Sequence, residues 1–352
     1  MRMFYTNSPE AGATLTIGNT ATTEAAEALR RRFAPLGDPW RYGVDACREI
    51  EDVIGRIRDL KRTRKAVLLA HNYQRPEIFE VADHVGDSFE LARHAADVDA
   101  EVIVFCGVGF MAETAKILNP GATVLLPDAG AGCTLADSVT GEALEARKAE
   151  LKKTWPDLQV VTYVNTTAEV KAASDVCCTS ANALRIVESL PSRHILFVPD
   201  RNLAAYVQKN TDKSIISWDG DCYVHHQITP EQIEQVRTQV PGIRVLAHPE
   251  CREDVLKLAD AVLSTSGMTR YAKQSDAKRF LVVTECGMSD RLMLEVPEKK
   301  FYKACKLCAY MKMITLEGTL ESLETMTHEI ILDEEIRLGA RQALDRMLEL
   351  GA

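Results

Sequence analysis

Val67-Leu68-Leu69-Ala70-His71-Asn72-Tyr73 begins a stretch, ending at Cys133, whose layout the chain repeats twice more. In the first copy an apolar run stops at His71-Asn72-Tyr73, and Ser88 follows seventeen residues after His71. A second apolar run, 102–105, leads into Cys106-Gly107-Val108-Gly109. A third, 124–126, leads through Pro127-Asp128 into a glycine-rich loop bearing Cys133. The second copy ends its first run in Tyr163-Val164-Asn165, has Ser180 seventeen residues past Tyr163, and closes on Asp219-Gly220-Asp221-Cys222. The third reads Val245-Leu246-Ala247-His248-Pro249-Glu250, has Thr265 seventeen residues past His248, and reaches Cys305 and Cys308. From strand-end residue to closing cysteine the distances are 62, 59 and 60 residues. A period of that length holds a whole strand–helix–strand set and is too long for a solenoid. The pattern predicts three similar α/β domains.

Apolar runs alternating with helical segments imply parallel sheets covered on both faces, three layers per domain. The expected division is an extension at 1–44, domains at 45–150, 151–240 and 241–320, and a helical tail at 321–352, part of which joins the first domain. Within these, apolar spacing and breakers place helices at 23–33, 45–63, 76–84, 88–96, 111–118, 142–152, 166–173, 181–190, 230–240, 252–258, 316–325 and 334–350.

The 352 residues carry a net charge of −9, with 46% hydrophobic and 26% charged residues, an ordinary globular balance. No basic block is present to neutralise phosphates, which argues against nucleic acid. A small anionic ligand is compatible with a locally positive pocket. Residues 1–20 lack the apolar core of a signal peptide, and the longest apolar run, 102–112, is far short of the roughly 18 residues a membrane span needs. The expectation is a cytoplasmic protein without nucleic-acid or membrane partners, its ten cysteines mostly reduced. A cysteine with a task is then a metal ligand or a catalyst. Cys47, Cys177, Cys178, Cys251 and Cys286 read as small buried hydrophobes.

In open parallel sheets ligands sit beyond the carboxyl ends of the strands. His71, Tyr73, Tyr163, Asn165, His248 and Glu250 fall there. One such residue is usually a satisfied structural group, but three equivalent strand ends are all polar. Ser88, Ser180 and Thr265 either cap helices or offer hydroxyl and N–H groups to an anion. If the domains pack around a pseudo-threefold axis, the loops of Cys133, Cys222 and Cys308 converge on it. Three thiolates suit zinc or an iron–sulfur cluster. Two other patterns compete. Gly107-x-Gly109-x-x-Ala112 with Asp128 is close to a dinucleotide fingerprint, which would make the first copy part of an NAD-dependent dehydrogenase. His248-x-Glu250 with Cys305-x-x-Cys308 is a distorted zinc-deaminase signature. A metal-storage or scaffold role is the non-enzymatic alternative, and it needs no polar strand ends.

From about residue 66 to 319 the chain resembles the quinolinate synthase family. The resemblance rests on Leu69-Ala70-His71-Asn72-Tyr73-Gln74, Val85-Gly86-Asp87-Ser88, Phe110-Met111-Ala112-Glu113, Tyr163-Val164-Asn165 and Cys178-Thr179-Ser180-Ala181-Asn182. It rests also on Pro199-Asp200-Arg201-Asn202-Leu203, His248-Pro249-Glu250-Cys251 and Thr284-Glu285-Cys286-Gly287-Met288. It implies pseudo-threefold α/β domains around a [4Fe-4S] cluster held by Cys133, Cys222 and Cys308, with one iron open to substrate. It implies a transferase of de novo NAD biosynthesis that condenses iminoaspartate with dihydroxyacetone phosphate. An L-aspartate oxidase or dehydrogenase would supply the iminoaspartate.

Carried over motif by motif, His71, Ser88, Tyr163, Val164, Asn165, Ser180, His248, Pro249, Glu250 and Thr265 line the substrate site. Glu250 is the candidate general base, Tyr73 and Tyr163 the candidate proton donors, and His225, three residues after Cys222, lies beside the cluster. The Cys305-x-x-Cys308 spacing suggests a reversible disulfide between those two that would eject the cluster.

Overall fold

The computed structural model describes residues 23–351, so the first half of the extension expected at 1–44 lies outside the described residues. Two helices come first, α1 (Thr23–Phe33) and α2 (Val44–Thr63), packed on each other. The first repeat follows as β1 (Ala66–His71), α3 (Pro76–Phe79), β2 (His84–Gly86), α4 (Ser88–Asp97), β3 (Val102–Cys106), α5 (Gly109–Leu118) and β4 (Thr123–Leu125). After α6 (Gly141–Lys152), the second is β5 (Gln159–Tyr163), α7 (Ala168–Ala172), β6 (Val176–Cys178), α8 (Ala183–Ser189), β7 (His194–Val198), α9 (Arg201–Lys209) and β8 (Ser214–Ser217). Helices α10 (Tyr223–His226) and α11 (Pro230–Gln239) lead to the third. It comprises β9 (Arg244–Ala247), α12 (Glu253–Leu256), β10 (Ala261–Val262), α13 (Thr265–Gln274), β11 (Arg279–Val283), α14 (Cys286–Glu295) and β12 (Lys300–Lys303). Helices α15 (Leu316–Thr325) and α16 (Glu334–Gly351) close the chain.

The fold is therefore α/β, with three parallel four-stranded sheets flanked by helices. All three share one strand order, in which the first strand of the repeat lies between the second and third: β2-β1-β3-β4, β6-β5-β7-β8 and β10-β9-β11-β12. Every residue of β3 (VIVFC) is buried, as a strand covered on both faces requires. Each large apolar side chain buried this way contributes about 1.5–3 kcal/mol.

One hydrogen-bond pair recurs in each sheet. Asp83, Asp175 and Asp260, each fifteen residues past a first-strand residue, accept the N–H of Leu68, Val160 and Val245 at 2.7 Å. Their own N–H groups return to the carbonyls of the same three residues at 2.9, 3.1 and 2.9 Å. That pairing draws the chain into a short strand where the spacing alone suggested helix over 76–84. The helix ends at Phe79, and His84–Gly86 pairs with β1.

The tail divides. Helix α15 lies against α2 and β3, and Ile330 N–H reaches Val124 O at 2.8 Å, so the segment between the last two helices edges the first sheet. Helix α16 crosses α7, β6, α8 and α5. Among the described residues no helix is long and apolar enough to cross a membrane.

Candidate active site

Beyond the carboxyl ends of the strands the three repeats enclose one cavity with about 620 Å³ of empty space. His71, Tyr73, Ser88 and Cys133 reach it from the first repeat. Tyr163, Asn165, Cys222 and His225 come from the second, and His248, Glu250 and Cys308 from the third. Of the residues expected to line a substrate site, Val164, Ser180, Pro249 and Thr265 are not in its wall. Val164 borders a smaller adjoining space with Ser88. Ser180 stands one hydrogen bond behind, its Oγ 3.1 Å from His248 Nε2. Thr265 Oγ1 accepts from Asn72 Nδ2 at 2.9 Å, tying the first repeat to the third.

The hydroxyl residues seventeen positions past the strand ends are not the caps themselves. Asp87 and Ser264 cap α4 and α13, and Ser88 and Thr265 are the first helical residues. Of these three hydroxyl residues, Ser88 alone stands in the cavity wall.

The three loops bearing Cys133, Cys222 and Cys308 are tied down identically. The first residue of the helix that follows the third strand of the repeat donates its N–H to the carbonyl two residues before the cysteine. Gly109 donates to Ala131 at 2.8 Å, Arg201 to Gly220 at 2.8 Å and Cys286 to Lys306 at 3.2 Å. This bond removes the dinucleotide reading, because the N–H that a pyrophosphate would need at the start of α5 is already taken. Gly107 is small because a Cβ there would meet Phe105 and Met111.

Glu250 Oε2 lies 2.9 Å from His225 Nδ1 and 3.1 Å from His248 Nδ1, and the two rings stack at 4.6 Å. Burial acts to raise the Glu250 pKa, but His225 and His248 together hold it well below the usual carboxylate range. An ionised carboxylate only accepts, so both imidazoles turn an Nδ1–H toward it. His225 Nε2 is 2.8 Å from Thr284 Oγ1, which is 2.6 Å from Tyr73 Oη. Tyr73, Thr284, His225 and Glu250 thus form one continuous hydrogen-bonded chain.

Burial, then His248, pushes His71 down to about 3, so it is neutral at physiological pH. Burial, then Glu250, raises the phenols of Tyr73 and Tyr163, keeping both protonated and able to donate. Thr284 is fully buried at the end of β11. Its sequence signal, a strand-end hydroxyl before Glu285, is too common to single out.

The donor set fits a thiophilic metal group. Cys133, Cys222 and Cys308 are free thiols on one cavity, and burial pushes the Cys133 thiol up to about 12, so a cation is needed to hold it as thiolate. Cys222, His225 and Glu250 also offer ligand atoms within 4.8 Å of one another, and His225 Nδ1 is 3.3 Å from Cys222 Sγ. Two buried oxygens, Glu250 Oε1 and Asn165 Oδ1, have no protein partner. Buried polar atoms are rarely left so, and a ligand is their natural partner.

Two expectations for cysteine are corrected. Cys305 is bonded to Cys286, not Cys308, and Cys286 is therefore not simply a buried hydrophobe. The bridge pairing Glu285 with Lys306 sets their neighbours Cys286 and Cys305 side by side, Cα atoms 5.1 Å apart, while Cys308 turns to the cavity. The bond also removes Cys305 from the deaminase-like pair. Cys47, Cys177, Cys178 and Cys251 are free and buried, as expected. Peptide mapping of protein digested without reductant is expected to yield a Cys286–Cys305 crosslink. A Cys305–Cys308 crosslink in its place would contradict this arrangement.

Residues 55–349 match the family described as quinolinate synthetase A protein. Quinolinate synthase 1 of Methanosarcina acetivorans is 50% identical over 299 residues, 84% of this chain and 97% of that protein. The quinolinate synthase of Dehalococcoides mccartyi is 54% identical over 297 residues, 84% of this chain and 97% of its own length. That of Xylella fastidiosa is 50% identical over 311 residues, 88% of this chain and 91% of its own. The match runs through all three repeats and every loop that brings a thiol to the cavity, and the chain belongs to the quinolinate synthase family, which implies an iron–sulfur enzyme.

Proposed function

We propose that this protein is a cytoplasmic transferase that condenses iminoaspartate with dihydroxyacetone phosphate, releasing phosphate and two waters to form quinolinate for NAD biosynthesis. The observation that carries the reading is the shared cavity, in which one thiol from each repeat meets the Glu250–His225–His248 group. Cys133, Cys222 and Cys308 would hold a [4Fe-4S] cluster, whose fourth iron supplies Lewis acidity toward a hydroxyl or carboxylate of the substrate.

The chain's own groups do the rest. Both substrates are anionic. Ser88 presents the N-terminus of α4 to the cavity, and His71 and Asn165 offer hydrogen bonds without a fixed charge. Glu250, with Oε1 unpartnered and Oε2 anchored by two imidazoles, is positioned to take a proton during carbon–carbon bond formation and tautomerisation. Tyr73 donates toward a departing hydroxyl, and Tyr163 is a second donor. An enzyme oxidising L-aspartate, as oxidase or dehydrogenase, would provide the unstable imine.

The test is an iron-57 Mössbauer spectrum of anaerobically prepared protein with and without quinolinate. One iron shifting apart from the other three on adding quinolinate supports the reading. A four-iron spectrum indifferent to quinolinate overturns the assignment of substrate to this cavity.

A further inference from the structure

Asp200 and Glu285 occupy the same place in two repeats. Each is the second residue past the third strand of its repeat and the residue just before the next helix. Both are fully buried. In each, one carboxylate oxygen caps the helix: Leu203 N–H donates to Asp200 Oδ1 at 2.7 Å, and Gly287 N–H to Glu285 Oε2 at 2.6 Å. The other oxygen reaches across to a cavity cysteine. Cys222 N–H donates to Asp200 Oδ2 at 3.3 Å, and Cys308 N–H to Glu285 Oε1 at 3.1 Å. Serine or asparagine caps a helix as well and spares the cost of burying a carboxyl. The second oxygen is what an acid adds at both places, and at Glu285 that oxygen also lies 3.4 Å from Lys312 Nζ. The equivalent residue of the first repeat is Val108, which makes no side-chain cap.

We propose that Asp200 and Glu285 are positioning residues for the metal centre, each clamping the backbone of one thiol ligand to the start of its neighbouring helix. The proposal rests on the iron–sulfur reading of the cavity. The clamp orients the donor before metal arrives and resists the loop movement by which metal leaves, as outer-shell partners of metal ligands do. The two acids serve different cysteines, so the loops of Cys222 and Cys308 each have a buried acid at this place, where the first repeat has Val108.

The experiment uses full-length protein loaded anaerobically with ferrous iron and sulfide, then challenged with a ferrous chelator. Asp200→Ser and Glu285→Ser keep a cap and lose the bond to the cysteine, and Glu285→Ser also gives up the ion pair with Lys312, a loss that Lys312→Met reproduces with the clamp in place. Thr315→Ala removes the cap of α15, where Thr315 Oγ1 accepts Gly318 N–H at 3.0 Å with no cysteine involved. The expected result is iron loss about 10- to 100-fold faster in both serine variants. The melting temperature of the metal-free protein should stay near wild type in both, while Thr315→Ala lowers it and keeps wild-type iron retention. Iron retention at the wild-type rate in both serine variants overturns the proposal and leaves the cluster reading intact. Loss of folding in both metal-free variants also overturns it, assigning the acids to the body of the fold. A wild type that takes up neither iron nor sulfide overturns the cluster reading itself and this inference with it.

Discussion

Cys222→Ser is expected to lower bound iron and sulfide to background after anaerobic reconstitution, and to abolish quinolinate formation with them. The reason is the donor's chemistry. A serine hydroxyl is a hard oxygen that does not ionise in a buried site, whereas thiolate is the soft ligand that iron–sulfur and zinc centres select. Cys222 Sγ also lies 3.3 Å from His225 Nδ1. Cys133→Ser and Cys308→Ser should behave alike, since each repeat supplies one donor. Cys47→Ser is the control. That thiol is buried away from the cavity, with its Sγ 3.6 Å from Tyr42 O, so its loss should cost stability and leave iron binding unchanged. Iron content measured beside activity separates the two outcomes. A Cys222→Ser protein holding four irons would remove Cys222 from the ligand set.

Glu250→Gln should leave iron content intact and lower kcat by about 10²- to 10⁴-fold, the usual contribution of a positioned proton acceptor. The substitution keeps shape and keeps one oxygen able to accept from His225 and His248, so the stacked imidazoles stay in place. It removes the basic atom, the second oxygen that has no partner in the protein. Because His225 and His248 hold the carboxyl below its ordinary range against the opposing effect of burial, Glu250 is ionised at mildly acidic pH. A group with a depressed pKa loses its active form only as pH falls through that lowered value. Protonation of Glu250 should therefore limit the wild-type rate only below the normal carboxylate range. Normal turnover in Glu250→Gln would place the base elsewhere.

Much of the fold was legible because its signals are local. The apolar runs at 67–70, 102–105 and 281–283 lie within strands of sheets flanked by helices, where such runs belong. The helices 23–33 and 316–325 end where breakers and caps stand in the sequence. The second strands of the repeats were not legible. His84–Gly86 and Ala261–Val262 are too short to show a period, and a non-local hydrogen bond from an aspartate makes them strands.

The site divides in the same way. The order of residues along the chain determined that three polar strand ends and three loop cysteines recur at one spacing, because each repeat builds the same unit and equivalent positions carry equivalent tasks. Only the tertiary structure decided which of them meet. It set Val164, Ser180, Pro249 and Thr265 back from the cavity and brought Thr284 between Tyr73 and His225. It made Gly287 a necessity, since a Cβ there would stand 2.5 Å from Tyr73 O. It also paired Cys305 with Cys286, nineteen residues away, in preference to Cys308 three residues on. Spacing along a chain sets which side chains can be equivalent. Contact between them depends on how sheets from distant segments approach, and that is fixed by packing summed over the whole molecule.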